Sequence, residues 1–457
     1  MDAQEPKFHF AAHTLETSSQ GPAIASVLNA ALEAVDPGRA VHQYLQLTGE
    51  LLLFGETGYD LSRIGKIRVV GIGKACQAMA RAVVEILGEC IEGGTVIAKH
   101  AAAGEMIGPI EVLEGSHPLP TQKSVIAAGR LSGSLAGLGE NDLVICLISG
   151  GGSALAVLPD VGIRLEDLAE LNRQLLASGA NIGEINLLRK HLDRIKGGGI
   201  SRMAAPAHVI GLVLSDVVGS PLDTIASGPT APDPGTYAAA WEVVERYQLG
   251  SHLPATIRQA LQDGLAGKRP ETPKPGDPLF NHTHNLIVGS NLQAAQAALA
   301  QAHRLGYHTL LLTTYLQGEA PLVGETLAAV ARQLCATGDP LPLPACIAVG
   351  GETTVTLRGS GRGGRNQELA LGAVAGMKDL SGALLVTLAT DGEDGPTDAS
   401  GAVVSGESLS RAQHTGLDPA QFLANNDAYA FFDPLGDLLR PGPTGTNVND
   451  LAFLFVA

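Results

Sequence analysis

Short apolar runs alternate with glycine-rich turns and amphipathic segments along the first half of the chain. The runs are rich in Val, Ile and Leu and lack polar alternation, which is the pattern of strands buried on both faces of a sheet. This pattern predicts strands over residues 67–72, 95–99, 142–148 and 208–214. Because strands and helices alternate, we predict an α/β fold with largely parallel sheets that are flanked by helices.

The segments between these strands carry helical periodicity. Residues 75–87 follow the first strand as an amphipathic helix, and leucines recur at helical spacing between residues 165 and 175. Asn181 and Glu184 stand in the register of a capping box, so a further helix is expected to begin there. It is expected to end at the glycines of residues 197–199.

A proline-rich segment separates the two halves of the chain. Residues 270–278 contain four prolines, a density that neither a helix nor a central strand tolerates. Beyond it, strands are predicted over residues 285–288, 308–313, 345–349, 384–388 and 451–457, with a helix over 292–304. We therefore predict a Rossmann-like N-terminal domain (1–270) with glycine-rich anion loops and a C-terminal α/β domain (281–457). The active site is expected in the interdomain cleft.

Charge and composition narrow the classes of function. The chain has 30 basic and 46 acidic residues, a net charge of −16, which disfavours nucleic acid and anionic membranes as partners. A local cluster of Lys and Arg can still bind a small anion. No apolar run reaches about 18 residues, and the acidic start lacks the order of a signal peptide, so the cytoplasm is expected. The oligomeric state is left open, with a homodimer as one possibility.

Two glycine-rich loops follow predicted strands. Gly71-x-Gly73-Lys74 lacks both the Walker A pattern and the third glycine of a dinucleotide fingerprint, so Lys74 is either a solvated turn residue or directed at a reacting anion. The second loop follows the strand at 142–148, where α/β sheets bind ligands, and is either a cradle for phosphate or carboxylate or a flexible turn. Its residues are Ser149, Gly150, Gly151, Gly152 and Ser153.

Three further basic residues are candidates for anion binding or catalysis. Arg365 lies between glycines in GRGGRNQE, a setting suited to bidentate contact with phosphate or carboxylate. Lys190 lies near a predicted helix end, where it either complements the helix dipole or captures an anion. His117 in GSHPLP is either a turn residue or a base.

Carboxylates follow two predicted strands. Asp216 comes directly after the strand at 208–214, where it can hold Mg²⁺, accept a proton or cap a turn. Asp391 lies in the acidic loop 390–401, which lacks the EF-hand pattern and is either a structural turn or a site for Mg²⁺ or a nucleotide hydroxyl. Anion loops and carboxylates together fit phosphoryl transfer without a P-loop.

These residues occur within motifs that resemble those of the class II glycerate kinases, whose C-terminal part is known as the MOFRL domain. The match extends from about residue 20 to the end, with the MOFRL region at about 345–457, and so many ordered motifs make chance similarity remote. The motifs are GIGKA (71–75), GSHPLP (115–120), LISGGGSAL (147–155), LSDVVGSPLDTIASGPT (214–230), VGSN (288–291), VGGETTV (349–355), GGRNQELAL (363–371), ATDGEDGPTDASGA (389–402) and GTNVNDL (445–451).

The resemblance implies transfer of the ATP γ-phosphate to the 2-hydroxyl of D-glycerate with Mg²⁺, giving 2-phosphoglycerate and ADP. The family's paired essential basic residues fall on Lys74 and Arg365. Asp216 or Asp391 is expected to hold Mg²⁺, and one of them to accept the hydroxyl proton. The further binding candidates are Gly289, Ser290, Asn291, Glu352 and Asn366.

Two other functions stay open at this point. Members of the family have also been labelled hydroxypyruvate reductases, which would use NAD(P)H. The absence of a clean GxGxxG pattern with its acidic partner weighs against that activity. A non-catalytic protein that binds a sugar acid or a nucleotide is disfavoured, because pure binding seldom needs both cations and carboxylates around glycine loops.

Overall fold

The computed structural model describes residues 7–457. Within that range the strands are β1 (Leu45–Thr48), β2 (Leu51–Phe54), β3 (Thr57–Asp60), β4 (Ile67–Ile72), β5 (Ile91–Ala98), β6 (Met106–Ile107), β7 (Ile110–Glu114), β8 (Leu143–Ile148), β9 (His208–Leu214), β10 (Thr283–Gly289), β11 (His308–Leu316), β12 (Ala345–Gly351), β13 (Ala383–Ala389), β14 (Gly401–Ser405), β15 (Leu438–Leu439) and β16 (Asp450–Val456).

Helices connect most of these strands. They are α1 (His13–Thr17), α2 (Gly21–Ala34), α3 (Pro37–Tyr44), α4 (Cys76–Leu87), α5 (Gln122–Ser134), α6 (Gly152–Leu155), α7 (Leu165–Ala177), α8 (Ile182–Leu192), α9 (Gly199–Ala204), α10 (Tyr237–Arg246), α11 (Ala255–Leu265), α12 (Asn291–Arg304), α13 (Ala320–Thr337), α14 (Arg365–Met377), α15 (Ser408–His414), α16 (Pro419–Ala424) and α17 (Ala428–Phe432). None of the described helices is both long and apolar enough to cross a membrane.

Contacts between residues divide the chain into two compact units. The first comprises Pro37–Ser215 and Ser220–Val288 and is called the parallel-sheet unit. Its main sheet has seven strands in the order β10-β9-β8-β4-β5-β7-β6. The pairs β9–β8, β8–β4, β4–β5 and β5–β7 are parallel, whereas β6 pairs with β7 in the antiparallel sense. The predicted parallel α/β architecture is confirmed in this unit.

The register of this sheet aligns the carboxyl ends of four adjacent strands. Ile72 at the end of β4 lies opposite both Ile97 of β5 and Ile148 of β8. Ala98 of β5 lies opposite Glu114, the last residue of β7. The loops that follow β8, β4, β5 and β7 therefore start side by side along one edge of the sheet, where ligands of α/β proteins bind.

Two apolar clusters stabilise the parallel-sheet unit. One packs α3 and α4 against the sheet, with Met79 and Val83 of α4 fully buried. The other joins α7, α8, α10 and α11, and Leu188 and Ile257 lie within it. Helix α8 begins with the predicted capping box, because Asn181 accepts the Glu184 N–H and Glu184 accepts the Asn181 N–H.

The second compact unit comprises residues 7–36, Asp216–Gly219 and Gly289–Ala457 and is called the mixed-sheet unit. Its sheet has the order β11-β12-β16-β13-β14-β15, and of its pairs only β11–β12 is parallel. The expected parallel pairing therefore does not extend to this sheet. The reason is that a continuous apolar run indicates burial on both faces of a sheet but not the direction of the neighbouring strands. The central strand β16 is buried at all seven positions although its neighbours are antiparallel.

Candidate functional site

Lys74 lies in the turn between β4 and α4, at the carboxyl edge of the parallel sheet. Its backbone N–H donates to the Gly150 carbonyl (2.9 Å), and the Ala75 N–H donates to Ser149 Oγ (3.0 Å). Gly73 has a φ of +132°, and a Cβ there would lie 2.2 Å from Ser149 Oγ, so this turn requires glycine. The Lys74 side chain is exposed, and no described residue gives it a hydrogen-bond or ion-pair partner.

The glycine loop after β8 brings Lys74 and His117 together. Gly151 has a left-handed φ of +81°, and a Cβ built on it would lie 3.1 Å from His117 Cδ2 and 3.4 Å from Lys74 Cγ. Burial lowers the pKa of His117 below its ordinary value, and the charges of Lys74 and Lys99 lower it further. The His117 imidazole is therefore neutral near pH 7.

The remaining residues of this loop have structural partners. Ser149 is buried and its hydroxyl accepts the Ala75 N–H described above. Ser153 Oγ hydrogen-bonds with Ser227 Oγ. A Cβ on Gly152 would lie 2.8 Å from the Cβ of Ala226, so the backbone of the loop is closely packed. Both serines of the loop are thus hydrogen-bonded, and its backbone packs against neighbouring residues.

Lys190 is buried on α8 and is neutralised by two carboxylates. Its Nζ lies 3.3 Å from Asp223 Oδ2 and 3.3 Å from Asp233 Oδ1. Burial opposes ionisation of Asp233, but Lys190 and the Thr272 hydroxyl outweigh it and lower the pKa of Asp233. Lys190 therefore acts in this structure as an ion-pair partner rather than as an open cation.

Arg365 is the first residue of α14 and is held by two acidic side chains. Its Nη1 donates to Glu352 Oε1 (2.5 Å), its Nε to Asp450 Oδ2, and its Nη2 to Asp450 Oδ1 (3.4 Å). Burial disfavours the charged guanidinium, but Asp450 and Glu352 outweigh this effect and raise the pKa of Arg365. The side chain is 33% exposed, so it is only partly enclosed.

Asp450 is a buried partner of Arg365 that the sequence alone does not identify. Burial raises the pKa of Asp450 to about 7, Asp394 adds to the rise, and Arg365 and the Asn366 side chain oppose it. Asp450 belongs to the GTNVNDL motif, but it directly precedes the terminal apolar run. An acidic residue at such a boundary is typical of a polar strand end, so only its pairing with Arg365 identifies it.

The predicted binding residues 289–291 lie next to the segment that carries Asp450. Gly289 is the last residue of β10, and Ser290 Oγ caps α12 by accepting the Gln293 N–H (3.4 Å). The Asn291 Nδ2 donates to the carbonyls of Val448 (3.0 Å) and Asp450 (2.9 Å). Asn291 therefore fixes the backbone from which the Asp450 carboxylate reaches Arg365.

Asn366 is tied to Asp394, in the acidic loop that follows β13. Asp394 Oδ1 accepts the Asn366 backbone N–H (3.1 Å) and side-chain Nδ2 (3.2 Å), and Asp394 Oδ2 accepts the Gln367 N–H (2.9 Å). This buried carboxylate thus caps the first turn of α14, which carries Arg365. Asp394 therefore gives the acidic loop 390–401 a structural role. A structural turn was one of the two alternatives that the sequence left open for this loop.

We expect Asp394→Ala to lower the free energy of unfolding by about 3 kcal/mol, because it leaves buried N–H groups at the start of α14 without an acceptor. Chemical denaturation followed by circular dichroism measures this loss. Glu393→Ala is the matched control, since Glu393 is the exposed neighbour and should cost less than about 0.5 kcal/mol. Equal losses in the two variants would contradict the capping role.

Asp216 and Asp391 are the candidate metal ligands. Asp216 follows β9 after one residue and is partly exposed. Asp391 is also partly exposed, and its Oδ1 accepts the Glu393 N–H (3.2 Å). Among residues 7–457, no three His, Cys, Asp or Glu side chains form a group that could hold a metal ion by themselves.

Comparison with known proteins places this arrangement in a family. Residues 23–262 match a domain of unknown function (DUF4147), and residues 345–450 match the MOFRL family. The glycerate 2-kinase of Pyrococcus horikoshii is 39% identical over 93% of this chain and 95% of its own. The chain belongs to the MOFRL-domain family of glycerate kinases. The resemblance seen in the motifs is thereby confirmed.

Two further relatives of this glycerate kinase family bear on fold and function. The crystal structure of glycerate kinase from Thermotoga maritima matches with a TM-score of 0.85 and 37% identity, covering 95% of this chain and 99% of that one. A protein of Agrobacterium vitis described as a putative hydroxypyruvate reductase is 42% identical over 86% of this chain and 87% of its own. The two-domain α/β fold is therefore common to the family, whereas the activity names within it differ.

Proposed function

We propose that the chain phosphorylates D-glycerate at its 2-hydroxyl with ATP, giving 2-phosphoglycerate and ADP. The observation that carries this proposal is the relationship over nearly the whole chain to proteins named glycerate 2-kinase, at 39% and 38% identity. A kinase needs an anion site for a nucleotide and cations that stabilise the transferring phosphoryl group. The exposed, unpaired Lys74 and the oriented Arg365 supply such groups.

In the proposed mechanism Lys74 and Arg365 stabilise negative charge on the phosphoryl group and on the glycerate carboxylate. The backbone of the Ser149–Ser153 loop receives phosphate, since its side chains already have protein partners. Glu352 and Asp450 hold the Arg365 guanidinium in one orientation. Such pre-organisation is the main contribution a protein makes to phosphoryl transfer.

The chemical step moves one phosphoryl group and one proton. The 2-hydroxyl oxygen of glycerate attacks the γ-phosphorus while the bond from that phosphorus to the β,γ-bridging oxygen breaks. The hydroxyl proton passes to a carboxylate, and Asp216 or Asp391 is the proposed acceptor. When Mg²⁺ is bound with ATP it neutralises charge on the β- and γ-phosphates, and the other of these two aspartates is its proposed protein ligand.

An enolase-coupled assay tests the proposed reaction. The purified protein is supplied with D-glycerate, ATP and Mg²⁺, together with enolase, pyruvate kinase and lactate dehydrogenase, but without phosphoglycerate mutase. Because enolase accepts only the 2-phosphate and no phosphoenolpyruvate is added, NADH oxidation reports 2-phosphoglycerate, and omitting enolase should abolish it. ADP release is measured in parallel by chromatography. Release of ADP without phosphoenolpyruvate would indicate attack by the 3-hydroxyl or ATP hydrolysis, and would contradict the proposed product.

Hydroxypyruvate reduction is the second candidate, because two relatives carry that description. The loop Gly71-x-Gly73-Lys74 lacks the third glycine that lets a dinucleotide pyrophosphate approach a helix, which disfavours it. Hydroxypyruvate with NADH or NADPH, in the absence of ATP, separates the two activities. Oxidation of the nicotinamide at a rate above that of glycerate phosphorylation would favour the reductase.

A further inference from the structure

A second lysine lies beside Lys74 at the carboxyl edge of the parallel sheet. Since Ile72 of β4 is opposite Ile97 of β5, Lys74 and Lys99 each lie two residues beyond paired positions on neighbouring strands. The Gly73 N–H still donates to the Ile97 carbonyl (3.1 Å), so the pairing continues past the strand end. Neighbouring strands are about 4.8 Å apart, so the two lysines follow neighbouring strand ends on this edge.

The segment that carries Lys99 is held in place on both sides. The Gly115 N–H donates to the Ala98 carbonyl (2.8 Å), which continues the pairing of β5 with β7. Gln77 Nε2, in the first turn of α4, donates to the His100 carbonyl (2.9 Å). The backbone of Lys99 is therefore held between α4 and the segment 115–117, which carries His117.

The charges at this edge are not compensated by the protein. The side chains of Lys74, Lys99 and His117 have no hydrogen-bond or ion-pair partner among residues 7–457. The charged groups that act on His117 are both lysines, Lys74 and Lys99. Both ammonium groups act on His117, so this edge of the sheet is locally positive and favours an anion. This local positive charge contrasts with the net charge of the chain, which is −16.

We propose that Lys99 and Lys74 together bind the phosphate chain of the nucleotide, so that the parallel-sheet unit binds the triphosphate of ATP. This inference rests on the proposed kinase function and adds Lys99 to its site. Two neighbouring cations and an uncharged imidazole suit a polyphosphate with several negative charges better than the single carboxylate of glycerate. The closely packed glycine loop lies against Lys74, since a Cβ on Gly151 would lie 3.4 Å from Lys74 Cγ.

We expect Lys99→Ala to weaken binding of inorganic tripolyphosphate and of ATP by roughly 10- to 100-fold, the effect of losing one charge-assisted phosphate contact. Isothermal titration calorimetry on the full-length protein measures both affinities without turnover. Lys66→Ala is the matched control, because Lys66 is an exposed lysine without a side-chain partner that directly precedes β4, at the opposite edge of the same sheet. It should leave both affinities within about twofold.

Steady-state kinetics distinguish the two candidate anions. If the inference holds, Lys99→Ala raises the KM for ATP while the KM for D-glycerate stays within about twofold. A rise confined to the KM for D-glycerate, or tripolyphosphate binding equal to that of Lys66→Ala, would overturn the inference and leave the kinase function intact. Conversely, wild-type protein that binds tripolyphosphate through Lys99 but forms no 2-phosphoglycerate would refute the proposed function alone.

Discussion

Lys74→Ala is expected to lower kcat for glycerate phosphorylation by roughly 10²–10³-fold, the usual cost of removing one group that stabilises transition-state charge. The Lys74 ammonium is exposed and lacks any partner in the described structure, so the protein does not use its charge for folding. The backbone of Lys74 fixes the turn through its bond to Gly150, and alanine keeps that bond. Activity should therefore fall while stability is retained.

Coupled assays and thermal unfolding of the same preparations check both parts of this expectation. The melting temperature of Lys74→Ala should stay within about 2 °C of the wild type, as for other exposed substitutions. Lys66→Ala again serves as the control, since it removes the same charge from the other edge of the sheet and should keep nearly full kcat. Near-normal turnover in Lys74→Ala would remove Lys74 from the proposed mechanism.

The elements of the fold were predictable where burial leaves a direct mark on the sequence. The apolar run of residues 208–214 coincides with β9, and the capping box at Asn181 and Glu184 begins α8 as expected. The direction in which strands pair is not visible in the hydrophobic pattern. The run that forms β16 is as apolar as a parallel strand, because it is covered on both faces, yet its two neighbours are antiparallel.

The sequence offers candidates for the site only where a residue type is unusual for its surroundings. Lys74 and Arg365 are cations beside glycines, so the sequence names both as candidates, and the family resemblance pairs them. Asp450 and Lys99 instead look like ordinary polar residues at strand ends. Their role depends on what the sheet places beside them: Arg365 for Asp450, and Lys74 for Lys99. Such neighbours are distant in sequence, so no local pattern contains them.

Arg365→Gln is expected to reduce kcat by roughly 10³-fold, since Arg365 is the proposed cation on the transferring phosphoryl group. Unlike Lys74→Ala, it should also destabilise the protein. Glu352 is 44% exposed and can be hydrated when its partner is lost, but Asp450 is buried and would carry an unpaired charge whenever it ionises. Breaking a buried ion pair from one side costs about 3–5 kcal/mol while the remaining group stays ionised.

The loss of stability in Arg365→Gln should depend on pH in a defined direction. Burial already raises the pKa of Asp450 to about 7, and removing Arg365 deletes a charge that opposes this rise. Between the ordinary pKa of an aspartate and this raised value, the folded protein binds a proton that the unfolded chain has released. Stability is therefore retained at low pH and lost as the pH rises through the folded-state pKa. Denaturation at pH 5 and at pH 8 should give a small and a large deficit, respectively, relative to the wild type.

The double variant Arg365→Gln/Asp450→Asn identifies the source of that deficit. Asparagine keeps the shape of the Asp450 side chain but cannot ionise, so it should restore most of the stability lost at pH 8. It should not restore turnover, because the cation is still missing. Asp394 also has its pKa raised by burial and lowered by Arg365, so Arg365→Gln/Asp394→Asn is the necessary comparison. If the deficit of Arg365→Gln were equal at pH 5 and pH 8, or if Asp450→Asn failed to relieve it, the charge of Asp450 would not be its cause. Recovery of kcat in the double variant would instead show that Arg365 acts on catalysis only by restraining Asp450.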